Sequence, residues 1–274
     1  GYRAMENDKS VLVVIPTIYP SQGLVELCDY LSADKASNKI LVIRNIPDNE
    51  GKLAEPLTLA ADVFSTGCNL NWLHSCNLGL FEAASKSFQY VCVLNDDVSL
   101  KSFQPDSFLL HLVETMERHP GTGIVAPQYN GFWGENQRSV PWEIGPEDTK
   151  SNYTDGTCML IRTELVETVG VLDAEFRAPG WGADVDYCHR AREAGYAIRV
   201  CQQAYLEHSK QIGGDSAEKF YGSAKEWQLK GLRQAQEDLQ LKYGPEFRSL
   251  LKLPSGAYMP TTTGLQDVEL LRQS

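Results

Sequence analysis

Three adjacent polar residues follow the apolar run YVCVL at residues 90–94, namely Asn95, Asp96 and Asp97. Asn and Asp are common turn formers, so the triplet could simply end a strand. Two adjacent carboxylates repel each other, however, and a turn gains nothing from the second one. A divalent cation would relieve that repulsion, because Mg²⁺, Mn²⁺ and Ca²⁺ prefer oxygen ligands. The triplet therefore indicates either an ordinary turn or a metal or catalytic site.

A second acidic cluster lies in GWGADVDYCHRAREAGY, residues 180–196. Asp184 and Asp186 stand in the first turn of a predicted helix, where one carboxylate would suffice to cap the helix and complement its dipole. Trp181 stands between two glycines that permit a tight turn, and it offers a flat face for a sugar or a base. A carboxylate beside such a face can accept a proton from a hydroxyl. The cluster favours a catalytic role for Asp184, and Arg190 has the spacing to pair with Asp186.

A histidine, His208, follows a third predicted strand in YLEHS, residues 205–209. A lone histidine is more often structural than a ligand. His208 is a candidate ligand because of its position, at the same predicted edge of the sheet as the acidic triplet. Imidazole together with carboxylate would suit manganese or another transition metal.

Short apolar runs alternate with amphipathic stretches along the chain, which predicts an α/β fold with a mostly parallel sheet and helices on both faces. In such sheets, ligands bind beyond the carboxyl ends of the strands. The predicted strands are 11–16, 39–45, 90–97, 123–128 and 197–208; the predicted helices are 21–34, 73–88, 106–120 and 184–196; and residues 157–170 are predicted to pass from a strand into a helix.

The composition is that of a globular protein, with 274 residues, 42% hydrophobic and 22% charged. No apolar run approaches the roughly 20 residues that span a bilayer, and the first ten residues lack the apolar core of a signal peptide. We therefore expect a soluble, cytoplasmic protein. The seven cysteines are scattered without a CxxC pair, which favours structural thiols. The formal net charge of −11 disfavours nucleic acid as a partner.

Two further segments have a distinct character. Residues 129–156 are rich in Gly, Pro and aromatic residues, including Trp133 and Trp142, and a loop of this length is usually functional or mobile. Residues 216–243 form a long amphipathic stretch. Its apolar positions could form a homodimer contact, or they could equally cover the protein's own sheet.

The order of the motifs VVIPT, CNLGLFEAA, YVCVLNDDV, GWGADVDYCHRAREAGY and YLEHS resembles the family 2 glycosyltransferases, inverting enzymes of the GT-A fold that use nucleotide-sugar donors. The resemblance implies a Rossmann-like GT-A catalytic domain at residues 10–212. Residues 10–128 would be its nucleotide-sugar-binding half and residues 129–212 its acceptor-binding half. Residues 1–9 would be a tail or tag remnant, and residues 213–274 a C-terminal helical extension and tail.

The same resemblance implies which residues contact the donor. Asn45 stands near the place where the family usually has an Asp that holds the base, and Asn95 replaces the first acid of the DxD-type motif. Asp96 would lie near the ribose or the sugar. The implied donor-binding residues are Pro16, Thr17, Tyr19, Asn45, Asn71, Asn77, Asn95 and Asp96.

The resemblance also implies the reaction, which is transfer of a sugar to a hydroxyl of a glycan or another acceptor. Asp97 and His208 would hold a divalent metal, Mn²⁺ or Mg²⁺, that offsets charge on the leaving diphosphate. Asp184 would be the general base, although Ala183 stands where the family has a Glu. The implied acceptor-binding residues are Trp181, Gly182, Asp186 and Trp133.

Two other functions stay open on the residues. A nucleotidyltransferase also uses strand-end carboxylates and a metal, but IPTIYPSQG after the first strand has one Gly and no Lys or Arg to cradle a triphosphate. The second alternative is a catalytically degenerate module that binds a carbohydrate or a partner on the same fold. The missing Glu before Asp184 is its main support.

Overall fold

The computed structural model describes residues 10–18, 20–45, 60–130, 148–178, 180–208 and 223–258. Several sequence predictions lie outside the described residues: the tail at 1–9, Tyr19, Trp133 and Trp142 with most of the loop 129–156, the start of the helix at 216–243, and the tail after 258.

A mixed sheet, nine-stranded within the described residues, forms the centre of the fold. Its strand order is β3-β2-β1-β4-β8-β6-β9-β5, with β7 paired to β9. Strands β1 to β4, β6 and β9 run in one direction, and β5, β7 and β8 run in the other. The strands are β1 Val11–Thr17, β2 Asn38–Arg44, β3 Asp62–Ser65, β4 Tyr90–Leu94, β5 Val98–Ser99, β6 Thr122–Tyr129, β7 Thr149–Ser151, β8 Cys158–Arg162 and β9 Ala197–His208.

The described helices confirm the alternating pattern predicted from the sequence. They are α1 Gln22–Ser32, α2 Asn71–Ser85, α3 Phe108–Arg118, α4 Glu164–Thr168, α5 Ala183–Glu193, α6 Ala224–Tyr243 and α7 Phe247–Leu250. Four elements, β3, β5, β7 and α7, were not predicted, because segments of two to four residues are too short to show a period. None of the described helices has both the length and the apolar character that crossing a bilayer requires.

Helices cover both faces of the sheet, as predicted. Side chains alternate between the faces along a strand. Val11, Val13 and Ile15 of β1 accordingly join the apolar cluster that contains α1 and α3. Leu12 and Val14 join the opposite cluster, which contains α2, α5 and α6.

The C-terminal helix α6 covers one face of its own sheet. Leu232, Ala235 and Leu239 are buried in the same apolar cluster as α2 and α5. The helix begins with a capping box, in which Ser223 and Glu226 bind each other's backbone N–H groups. These apolar positions therefore have an intramolecular role, and the homodimer stays a prediction.

Gly79 lets α2 lie directly on β1. A Cβ atom at this position would lie 2.3 Å from Cγ2 of Val14. Because interiors are close-packed, a side chain here would force the helix and the strand apart. The position of α2 therefore depends on the absence of a side chain at Gly79.

We expect Gly79→Ala to lower the free energy of unfolding by about 1–3 kcal/mol through overpacking, although Ala is the better helix former. Urea denaturation measures this change in the free energy of unfolding. Gly23→Ala in α1 is the matched control, since its Cβ would meet only the Ser21 hydroxyl at 3.6 Å. The control should gain up to about 1 kcal/mol. Stabilisation by both substitutions would contradict the packing argument.

Candidate functional site

The carboxyl ends of β1, β2 and β4 lie at one edge of the sheet. They bring together three residues that are predicted to bind the nucleotide-sugar donor. The Thr17 hydroxyl donates to Oδ2 of Asp96 at 2.7 Å. The Asn45 N–H donates to the Thr17 carbonyl at 2.8 Å. Pro16 precedes Thr17 in β1. This edge is where a doubly wound sheet binds ligands.

Asp97 and His208 meet at the same edge. The two-residue strand β5 pairs antiparallel with the end of β9, and this pairing sets Val98 opposite His208. Nε2 of His208 lies 3.1 Å from Oδ1 of Asp97. The two side chains are 19% and 18% exposed, so solvent or a ligand can reach both. The two predicted metal ligands are thus neighbours.

An irregularity in β9 directs its end towards β5. The pairing of β6 with β9 passes from Cys201 to Tyr205 while β6 advances by one residue, from Pro127 to Gln128. Such bulges bend a strand and are common beside functional sites. The His208 N–H also donates to Oδ1 of Asn130 at 2.7 Å, a contact that the sequence analysis did not predict.

The two adjacent carboxylates of the triplet are in different environments. Burial, with the charge of Asp97 as a smaller cause, raises the pKa of Asp96 to about 6. The hydrogen bond from Thr17 and the proximity of His208 act in the opposite direction. Asp96 is thus bound within the protein by Thr17, whereas Asp97 faces the imidazole.

Asp97 and His208 fit a divalent metal as a pair. The described residues contain no group of three or more His, Cys, Asp and Glu side chains with metal-binding geometry. A carboxylate oxygen and an imidazole nitrogen nevertheless suit Mn²⁺. Their separation of 3.1 Å is close to the roughly 3.0 Å edge of an octahedron with bonds of about 2.1 Å. Sites of this class take their other ligands from substrate phosphates and water.

Asp184 lies at the start of α5 and is partly exposed. Its Oδ2 accepts the Gly156 N–H at 2.9 Å, and its Oδ1 accepts the Val185 N–H at 2.8 Å. Burial, and then the charge of Asp155, raise the pKa of Asp184 to about 7, against the effect of the two N–H donors. A carboxylate that takes up a proton near neutral pH is suited to general base catalysis.

The loop at residues 155–157 joins Asp184 to the acidic triplet. The Thr157 carbonyl accepts the Asn95 N–H at 2.9 Å. The Thr157 N–H donates to Oδ1 of Asp155 at 3.0 Å, and Gly156 binds Asp184. Asp155 was not predicted as a site residue, because its local pattern is an ordinary Asp-Gly turn within a stretch that has no periodicity.

Three asparagines predicted to bind the nucleotide-sugar donor lie just after β2 or in α2, and two of them have side-chain partners within the protein. The Asn45 amide donates to the Ser75 hydroxyl at 2.7 Å and accepts from Thr66 at 3.2 Å. The Asn77 amide donates to the Leu172 carbonyl at 2.8 Å and accepts the Leu172 N–H at 2.9 Å. Asn71 is the first residue of α2, at a positive φ of 61°.

Asp186 lies on another side of α5, away from Asp184. Its carboxylate is fully buried and accepts hydrogen bonds from Arg190 Nε at 2.9 Å and from the Tyr243 hydroxyl. Lys242 Nζ lies 2.7 Å from its Oδ1. The predicted pairing with Arg190 is confirmed. Asp186 is therefore bound to α6 and does not lie with the other predicted site residues at the carboxyl edge of the sheet.

Trp181 and Gly182 also contact α6. The Trp181 ring packs edge-on against Trp227 at 5.3 Å between centroids, and a Cβ at Gly231 would lie 2.8 Å from it. A Cβ at Gly182 would lie 3.2 Å from Leu239. Helix α6 thus packs against the surface that the sequence predicted for the acceptor.

Comparison with known proteins gives relatives of low identity. No family model matches the chain. One protein of Mycobacterium bovis and two from strains of Mycobacterium tuberculosis, all uncharacterised, are 26% identical over 201 residues. The aligned region covers 69% of this chain and 73% of theirs.

The crystal structure of GalNAc-T7 with UDP, GalNAc and Mn²⁺ matches this chain with a TM-score of 0.59 and 14% identity. The match covers 90% of this chain and 55% of that chain. The protein has the GT-A fold. The predicted fold class is thereby confirmed. At this identity, the GT-A likeness establishes the fold alone, and membership of family 2 stays a prediction.

We expect Asp186→Asn to lower the free energy of unfolding by about 3 kcal/mol, because it leaves the charges of Arg190 and Lys242 without their buried counter-charge. Urea denaturation measures the loss, and nucleotide binding by the folded protein should not change. Glu237→Gln on α6 is the control. Its exposed ion pair with Arg177 should contribute about 1 kcal/mol or less. A similar, small loss in both variants would contradict a structural role for Asp186.

Proposed function

We propose that the protein is an inverting glycosyltransferase that moves a sugar from a nucleotide-sugar donor to an acceptor hydroxyl. The observation that carries the proposal is the contact between Asp97 and His208 at the carboxyl edge of a GT-A sheet. Asp184 is bonded to the loop that also holds Asn95, which supports a general base beside the donor. The neighbouring structure contains UDP, GalNAc and Mn²⁺, which supports a metal-assisted reaction with a nucleotide-sugar.

On the donor side, Pro16, Thr17 and Asp96 line the nucleotide-sugar. Thr17 orients Asp96 through its hydroxyl, and the second oxygen of that carboxylate can accept from a ribose or sugar hydroxyl. Asp97 and His208 would hold Mn²⁺ or Mg²⁺. When bound, the ion would offset the negative charge that develops on the leaving diphosphate.

On the acceptor side, Asp184 receives the proton. The bond between the anomeric carbon and the diphosphate oxygen breaks as the acceptor oxygen bonds to the opposite face of that carbon. The acceptor proton passes to Asp184, which the Gly156 and Val185 N–H groups hold in position. The products are the glycoside with inverted configuration, the nucleoside diphosphate and a proton.

A degenerate binding module on the same fold is the second candidate, because Ala183 stands before Asp184. The two candidates differ in one measurable property. An enzyme of this class should hydrolyse its donor slowly when water replaces the acceptor, and a binding module should only bind it. Incubation with a panel of UDP-sugars and Mn²⁺, followed by assay of released UDP, distinguishes them.

We expect Asp97→Ala to abolish the Mn²⁺-dependent part of UDP binding, measured by calorimetry with Mn²⁺ and with EDTA. The fold should persist, since Asp97 is partly exposed. His208→Gln should weaken binding in the same way. His74→Gln is the control, because His74 is exposed on α2. If Asp97→Ala kept the Mn²⁺ dependence of the wild type, the assignment of Asp97 as a ligand would be wrong.

We expect Asp184→Asn to retain UDP binding but to lower donor hydrolysis by about 10²- to 10⁴-fold, the usual contribution of a general base. In the wild type, the rate should rise with pH through about 7, because the base acts only when it is deprotonated. Asp29→Asn removes an equal charge from the exposed face of α1 and should change neither quantity. Near-normal hydrolysis by Asp184→Asn would refute the assignment of the base.

A further inference from the structure

Consecutive backbone N–H groups of the loop at residues 155–157 bind two carboxylates, that of Asp184 at the start of α5 and that of Asp155 in the loop itself. The Gly156 N–H donates to Oδ2 of Asp184 at 2.9 Å. The next N–H along the chain, that of Thr157, donates to Oδ1 of Asp155 at 3.0 Å. Because the two donors belong to adjacent residues, neither carboxylate can leave the other without breaking a hydrogen bond. Both carboxylates are thus bound to the same short loop, where the charge of Asp155 acts on Asp184.

The loop that carries these donors is fixed on its other side. A Cβ at Gly156 would lie 2.4 Å from Cζ2 of Trp72 in the first turn of α2, so the loop lies directly against the indole ring. The Thr157 carbonyl accepts the Asn95 N–H at 2.9 Å. The loop is therefore packed between α2 and the end of β4, and these contacts oppose a movement that would separate Asp155 from Asp184.

Two other titratable side chains near Asp184 in the described part of the chain, those of Cys188 and Tyr258, have raised pKa values. Burial raises the pKa of Cys188, one turn along α5, to about 12. Burial, followed by the charges of Asp184 and Asp155, holds the pKa of Tyr258 well above its usual value, and Tyr153 lies beside it. Asp155 is the largest source of charge acting on Asp184. A change in the charge of Asp155 therefore changes the pKa of Asp184.

We propose that Asp155 is a positioning residue for the base: its charge, held beside Asp184 by the Thr157 N–H, increases the affinity of Asp184 for the acceptor proton. This inference rests on the proposed glycosyltransferase function. An isolated, solvated carboxylate is a weak base at neutral pH, and a base is most effective when its pKa is near the working pH. A second carboxylate raises that pKa by disfavouring two charges in one place.

Asp155→Asn tests the inference, because the amide keeps an oxygen for the Thr157 N–H and removes only the charge. The direct readout is ¹³C NMR of the aspartate carboxyl groups over a pH series, with the Asp184 signal assigned through Asp184→Asn. The Asp184 midpoint should fall by about 0.5–1 pH unit, as expected when a neighbouring like charge is removed. The rise of donor hydrolysis with pH should move to lower pH by the same amount.

Two further variants complete the experiment. Asp155→Glu restores the charge and should return the midpoint towards that of the wild type. Asp155→Ser keeps an acceptor for the Thr157 N–H, and it should reproduce the shift if Asp155→Asn folds poorly. Asp29→Asn, with the same charge change on the exposed face of α1, should leave the midpoint unchanged.

The outcomes separate this inference from the proposed function. An Asp184 midpoint that is the same in the wild type, Asp155→Asn and Asp155→Ser would overturn the inference, whatever the activity. A shifted midpoint in a protein that hydrolyses no donor at any pH would establish the coupling of the two carboxylates and refute the transferase. A shift in both the NMR midpoint and the pH profile would support both.

Discussion

The candidate site depends on one short pairing, between the two-residue strand β5 and the end of β9. That pairing sets Val98 opposite His208, and because Asp97 precedes Val98, it brings a carboxylate and an imidazole together across 111 residues of sequence. Neither strand end would hold this position alone. The bulge in β9 changes the direction of the strand, and Asn130 binds the His208 backbone. The short β5 thus places the residues that we propose to bind the metal.

Negative charge is concentrated at this site in two pairs of carboxylates, and the protein offsets each pair differently. Asp96 and Asp97 are relieved by a hydroxyl and an imidazole, which suits a place where a cation can bind. Asp155 and Asp184 both accept hydrogen bonds from backbone N–H groups, and the charge of Asp155 raises the pKa of Asp184. In the proposed reaction, Asp97 of the first pair would bind the metal and Asp184 of the second would accept the proton. The hydrogen bond between Asn95 and Thr157 joins the two pairs, so the donor and acceptor sides of the proposed reaction share one loop.

The sequence predicted those parts of the site that follow from strand topology. Apolar runs that end in polar residues mark the strand ends, and parallel strands bring their carboxyl ends to one edge, so Thr17, Asp97 and His208 were predicted together. Asp155 could not be predicted, because an Asp-Gly turn has the same local pattern whether or not a carboxylate faces it. The antiparallel direction of β8 within the sheet also has no local signal, since a buried strand has the same composition in either direction.

The two acidic residues in the first turn of α5, Asp184 and Asp186, have different roles although they are close in the sequence. Residues two apart on a helix are separated by about 200° around its axis, so Asp184 and Asp186 must face different neighbours. Asp184 faces the loop at 155–157, and Asp186 is buried against Lys242 and Tyr243 of α6.

Because Asp186 is bound by Lys242 and Tyr243 of α6, α5 cannot rotate about its axis without breaking these contacts. That constraint keeps Asp184 directed at the loop. The second acid is therefore not redundant with the first. Asp186 holds in place α5, which carries the proposed base Asp184. Helix α6, which binds Asp186, begins some forty residues further along the chain, beyond the reach of any local sequence pattern.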